Sequence, residues 1–123
     1  MNKYDISFVI PLKNEAESIE ALYKGIVENT LPLGLSFEII FIDDGSTDGS
    51  FEIIKNLSKN DTRVKGIRFR RNFGKSSALS AGFKLAKGDI VITMDADLQD
   101  DPVEIPRFIE MINRGYDVVS GWK

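Results

Sequence analysis

Asp95, Asp97, Asp100 and Asp101 crowd into "DADLQDDP", directly after the apolar run "DIVITM". Two like charges about 4 Å apart at an effective dielectric near 20 repel by ~4 kcal/mol, so carboxylates gathered where a buried strand opens call for a cation among them. Asp95 and Asp97, two residues apart, share a face while the chain stays extended, and Gln99 continues that series with a carbonyl oxygen. Hard oxygen donors of this kind suit Mg²⁺ or Mn²⁺, and an ion held by so few protein groups keeps positions for phosphate oxygens. Asp100 and Asp101 fit a solvated turn that caps the next helix. The chain contains no histidine and no cysteine, which excludes disulfides and thiolate sites and disfavours zinc. Any general base in it is a carboxylate.

Three further polar stretches come after apolar runs. In "DDGSTDGS", residues 43–50, Gly45 and Gly49 accept positive φ, and Ser46, Thr47 or Asp48 can cap a helix. Capping leaves Asp43 and Asp44 unexplained at the end of a buried strand, and Asp44 is placed to accept N–H groups of a base. "PLKNE", residues 11–15, stands where a dinucleotide-binding protein carries a glycine-rich turn, and the absent glycines argue against a nicotinamide or flavin cofactor. There Pro11 ends a strand, and Asn14 or Glu15 starts a helix. In "RRNFGKSS", residues 70–77, Arg71 and Lys75 flank Gly74 ahead of a helix, an arrangement suited to an anion. Residues 63–70 read as a solvated basic edge.

The elements that must position these stretches are legible from apolar spacing. Runs at residues 6–10, 37–42, 64–69 and 89–94 have strand length, and most are near-continuous, as strands covered on both faces are. Between them, Ile19, Leu22, Tyr23 and Ile26, then Ile53, Ile54 and Leu57, then Leu79, Gly82, Phe83 and Ala86, repeat at helical intervals. A fourth set, Ile105, Phe108, Ile109 and Ile112, tolerates Pro106 only in its first turn. "DVVS", residues 117–120, reads as a fifth strand. This alternation predicts an α/β fold with right-handed crossovers and a mostly parallel sheet carrying helices on both faces. The third strand, interrupted by Lys65 and Arg68, is expected at the edge. All four polar stretches then converge on the carboxyl rim, where open parallel sheets bind ligands.

With 123 residues, the chain is one domain at most, and its formal charge of -3 is too small to imply a nucleic-acid partner. No apolar run approaches the ~20 residues of a membrane span, and the first segment is too short for a signal peptide, so the chain reads as cytoplasmic. Its end at Lys123, without a closing helix, reads as a cut inside a longer protein.

Taken together, "PLKNE", "DDGSTDGS", "RNFGKSSAL" and "DADLQDDP" resemble, in order, the motifs of the inverting GT-A glycosyltransferases of family 2. The last, with its Gln99, is similar to the polyprenyl-phosphate sugar transferases, the branch of dolichyl-phosphate mannosyltransferase. The resemblance covers nearly the whole chain. It implies a Rossmann-like fold and transfer of a sugar from a UDP- or GDP-sugar, with inversion, to a polyprenyl phosphate or a saccharide, in cell-envelope glycan or glycolipid synthesis. It also implies that Pro11, Lys13, Glu15, Asp44, Lys75, Asp95 and Ala96 line the nucleotide-sugar site. Asp95, Asp97 and Gln99 then hold Mg²⁺ or Mn²⁺, with Arg71 and Lys75 assisting departure of the diphosphate. One departure is Lys13, where many members carry an aromatic residue. Acceptor-side and catalytic residues are expected beyond Lys123, and with them segments that attach the protein to the cytoplasmic face of the membrane. The 123 residues are thus expected to form the nucleotide-sugar-binding half of the domain, inactive by itself.

Three rival readings are weaker. A haloacid dehalogenase-type phosphotransferase usually opens with its Asp-x-Asp, whereas here the pair comes after the fourth strand. A receiver domain carries its acidic pair after the first strand, where this chain has "PLKNE". A non-catalytic nucleotide-binding fragment differs mainly in the chain beyond Lys123.

Overall fold

The computed structural model describes residues 3–97 and 101–115. Strands β1 (Tyr4–Leu12), β2 (Phe37–Asp43), β3 (Val64–Arg68) and β4 (Gly88–Thr93) alternate with helices α1 (Ile19–Thr30), α2 (Ser50–Asn60) and α3 (Lys75–Leu85). Helix α4 (Ile105–Asn113) comes after β4, with Pro106 in its first turn as expected. The strands pair in parallel in the order β3-β2-β1-β4, which places β3 at an edge of the described sheet. The expected fifth strand, residues 117–120, lies outside the described residues. Among the described residues no helix is long and apolar enough to cross a membrane.

The chain steps outward from β1 to β3 and then returns to lay β4 on the other side of β1. With right-handed crossovers, that reversal puts α1 and α2 on one face and α3 on the other. Phe8 and Ile10 of β1 and Phe37, Ile39 and Phe41 of β2 pack with Ile19, Leu22 and Ile26 of α1, Ile54 of α2, and Ile105 and Ile109 of α4. On the opposite face Val9, Ile40 and Ile42 meet Ala78 and Leu79. Each large apolar side chain fully buried here contributes roughly 2 kcal/mol, so β1 and β2, covered on both faces, form the rigid centre.

Two expectations need correction. First, among the described residues β4 is not covered on both faces: α3 lies mainly over β1 and β2, and Val91 of β4 is 43% exposed. Second, α3 buries only part of the stripe read from its sequence. It buries Gly82 together with Ala78 and packs Leu79 and Ala86 partly buried against the sheet, but Phe83 of the stripe stays exposed. The helix is pressed so close to the sheet that a Cβ at position 82 would stand 2.4 Å from Val9 Cγ1 and 2.8 Å from Ile42 Cδ1. Small residues four apart permit that approach, and Phe83 is turned aside.

Candidate functional site

The reversal between β1 and β4 is the topological switch point of the sheet, where neighbouring carboxyl ends diverge and leave a crevice. Pro11 widens it. By strand alternation Pro11 would turn its N–H toward β4, but proline has none, and the last bond across that seam is Met94 N–H to the Val9 carbonyl, 3.2 Å. On its other side β1 continues with β2 as far as Leu12 opposite Asp43. Pro11 therefore ends the pairing with β4 but not the strand itself, which corrects the expectation that β1 stops there.

A cavity of about 310 Å³ opens there, lined by Pro11, Leu12, Lys13, Glu15, Asp44, Lys75, Asp95, Ala96 and Asp97. The structure thus brings together every residue expected in the nucleotide-sugar site. Of the three expected metal ligands, Asp95 and Asp97 are in the lining, and Gln99 lies outside the described residues. Arg71 is not in the lining. Its guanidinium stacks over the Phe73 ring at 4.9 Å.

The loop after β1 is held by a clasp that sequence reading missed. Asn14 does not start a helix; it takes φ 55, the left-handed region that asparagine tolerates better than most residues. Its N–H donates to Ser46 Oγ at 2.8 Å, and its Oδ1 accepts from Thr47 N–H at 2.8 Å. Glu15 N–H donates to Ser50 Oγ at 3.1 Å, and Ala16 N–H to Asp48 Oδ2 at 3.1 Å. Asp48 also accepts from Ser50 N–H and Oγ, and these donors hold its carboxyl below the ordinary range, the Ser50 hydroxyl most of all. The polar pattern in "DDGSTDGS" signals such side-chain to backbone bonds, but it cannot say that the partner is the loop after β1.

Asp44 is buried, and it faces the turn after β3 as well as the cavity. Its Oδ1 accepts Phe73 N–H at 2.7 Å and its Oδ2 accepts Gly74 N–H at 3.0 Å. Asp43, fully buried beside it, caps its own turn by accepting Ser46 N–H at 2.8 Å.

The remaining charges divide into two sets. Lys75 Nζ donates to Asp95 Oδ1 at 2.9 Å, placing a cation against the first carboxylate of the motif. Glu15 is in the opposite situation. Its carboxyl is raised above the ordinary value by burial first, then by the negative charges of Asp97 and Asp48, with a Ser18 hydrogen bond opposing. Lys75 thus meets Asp95 on one side of the cavity, while Glu15 on another feels the charges of Asp97 and Asp48. Among the described residues no group of three or more acidic side chains is arranged to hold a metal ion by itself.

A family model described as Glycosyl transferase family 2 matches residues 7–123. An undecaprenyl-phosphate 4-deoxy-4-formamido-L-arabinose transferase of Aeromonas hydrophila is 46% identical over 124 residues, covering 98% of this chain and 38% of that protein. The enzyme of the same name from Pseudomonas aeruginosa is 44% identical over 116 residues, covering 94% of this chain and 34% of that protein. The chain therefore spans little more than a third of the curated relatives it matches. Among solved structures, the mannosyltransferase PcManGT from Pyrobaculum calidifontis, in complex with GDP-Man and Mn²⁺, superposes with a TM-score of 0.67 at 26% identity, over 79% of this chain and 28% of that one. S. aureus TarS 1-349 in complex with UDP superposes with a TM-score of 0.73 at 21% identity, over 94% of this chain and 38% of that one, and supports the fold.

Proposed function

The chain belongs to glycosyl transferase family 2, and on that premise we propose that it forms the nucleotide-sugar-binding half of an inverting enzyme that glycosylates a polyprenyl phosphate. One observation carries the reading: a single cavity at the switch point of a GT-A-type sheet is lined by Pro11, Lys13, Glu15, Asp44, Lys75, Asp95, Ala96 and Asp97. Relatives named for transfer to undecaprenyl phosphate support the lipid phosphate as acceptor. A lipid-borne acceptor in turn favours the cytoplasmic face of the membrane as the place of work.

The residues present fit a divalent ion shared with a diphosphate. Asp95 and Asp97 line the cavity together, two protein carboxylates leave ligand positions for phosphate oxygens, and every donor is a hard oxygen. Asp95 and Asp97 would hold it, with Gln99 as the third protein ligand. When bound, such an ion supplies Lewis-acid and electrostatic stabilisation of the departing nucleoside diphosphate. Lys75 keeps Asp95 oriented and adds positive charge at the same wall. Buried Ala96 leaves the floor of the cavity clear, and Lys13 offers a flexible cation at its mouth. The acceptor phosphate is already an anion at neutral pH, so little is asked of a general base.

The test is a calorimetric titration of the natural full-length protein with UDP-glucose and with GDP-mannose, each with and without Mn²⁺. Metal-dependent binding of one of them is expected, and it identifies the base. If neither nucleotide responds to the metal, the assignment of Asp95 and Asp97 fails.

A further inference from the structure

Asp44 lines the cavity, yet its hydrogen bonds run elsewhere. It is 6% exposed, and each carboxylate oxygen accepts a backbone N–H of the turn that leads from β3 into α3, from Phe73 at 2.7 Å and from Gly74 at 3.0 Å. Charge-assisted bonds of this kind are about twice as strong as neutral ones. The next residue, Gly45, has φ +83 and allows the same turn to come close: a Cβ there would stand 2.6 Å from both Arg71 C and Asn72 N. At its beginning the turn is pinned by Phe69 N–H to the Asp43 carbonyl, 2.8 Å, and Asn72 Oδ1 accepts from Gly74 N–H at 2.9 Å. The turn therefore hangs from the exit of β2, and the residue after it is Lys75, whose Nζ meets Asp95 at 2.9 Å. A continuous path runs from Asp44 through the Phe73 and Gly74 amides to Lys75 and then to Asp95 on the far wall.

Resting on the nucleotide-sugar reading of this cavity, we infer that Asp44 is a positioning residue for Lys75. Its carboxylate fixes the turn that aims the Lys75 ammonium at the diphosphate, whatever its remaining lone pairs offer to a base. The role depends on charge and not on shape alone. An asparagine at this position accepts from one amide and turns its own N–H groups on the other, so the turn loses one anchor and meets a repulsive contact.

Inorganic pyrophosphate with Mn²⁺ is the decisive probe because it has no base. In the natural full-length protein, D44N and K75A are each expected to weaken pyrophosphate binding about tenfold, the scale of one hydrogen bond to a charged group. The double variant is expected to lose little more than either single one, because both changes remove the same placed cation. G45A, which pushes the turn away and leaves the Asp44 carboxylate intact, is expected to give the same loss, and it serves in place of D44N if that variant does not fold. Amide exchange at Phe73 and Gly74 is expected to accelerate in D44N while the thermal midpoint shifts by only a few degrees, as one lost surface-loop anchor does. Unchanged pyrophosphate affinity in D44N and G45A, or additive losses in the double variant, overturns the positioning role and leaves the nucleotide-sugar reading standing. No binding of pyrophosphate by the unaltered protein overturns both.

Discussion

The two ends of the sheet treat a carboxylate in opposite ways. At the amino end, Glu38 is fully buried, and its oxygens accept from Ser7 Oγ at 2.6 Å, Lys87 N–H at 2.7 Å and Lys65 Nζ at 2.9 Å. Lys65 also donates to Tyr4 Oη at 3.1 Å, and Gly88 N–H donates to Ser7 Oγ at 2.7 Å. Burial is the largest single influence and pushes the Glu38 carboxyl up, but these donors together outweigh it and hold the group below its ordinary value. At the carboxyl end, Glu15 is raised by burial and by neighbouring carboxylates. A buried acid with a complete set of donors staples three strands and the entry to β4. Matched donors outweigh burial at one end, whereas like charges add to its effect at the other.

That contrast can be broken by mutation. Glu38→Ala strands Lys65 and two further donors around a vacated site, and is expected to destabilise the fold by about 3 kcal/mol in chemical denaturation. A change below about 1 kcal/mol would remove Glu38 from the staple. Next comes the Asp61 cluster, where Arg63 donates at 2.9 and 2.8 Å and Tyr23 Oη at 2.6 Å. The Arg63 hydrogen bonds, more than any other influence, bring Asp61 down to about 2 from 3.8. Because the folded value is depressed, its contribution is complete above the ordinary value and is lost as pH falls from about 4 to about 2. Roughly 2 kcal/mol should disappear in that window, and Asp61→Asn should flatten the stability profile there. Asn14→Gly keeps the left-handed backbone but loses the acceptor for Thr47 N–H, and should cost about 1 kcal/mol or less by thermal unfolding. Asp97→Asn is expected to shift stability by no more than about 0.5 kcal/mol, because the residue is exposed. Its signature is instead a fall in the Glu15 titration midpoint tracked by NMR, and a static midpoint would separate Glu15 from Asp97.

Much of this is legible in the amino-acid sequence. Continuous apolar runs mark β1 and β2, and the rule that ligands sit beyond the carboxyl ends of parallel strands gathers the cavity residues correctly. Pairings across long separations are a different matter. The charges on β3 read as a solvated edge, yet Lys65 is drawn under Glu38, 27 positions away, and the Arg63 guanidinium lies 4.6 Å over the Phe37 ring. Both contacts depend on register, which composition does not encode. Asp44 is a similar case: its position at the strand end is readable, but the two amides that occupy it come from another turn. The α3 stripe misleads only at Phe83, because close helix-to-sheet approach favours small side chains such as Ala78 and Gly82 over large ones.

Pro11 gives the sheet a permanent open seam. With no N–H at Pro11 the zipper lacks its next donor beyond Val9, so the groove stands ajar without a partner to prise it apart. An incoming molecule meets a doorway already framed by covalent chemistry.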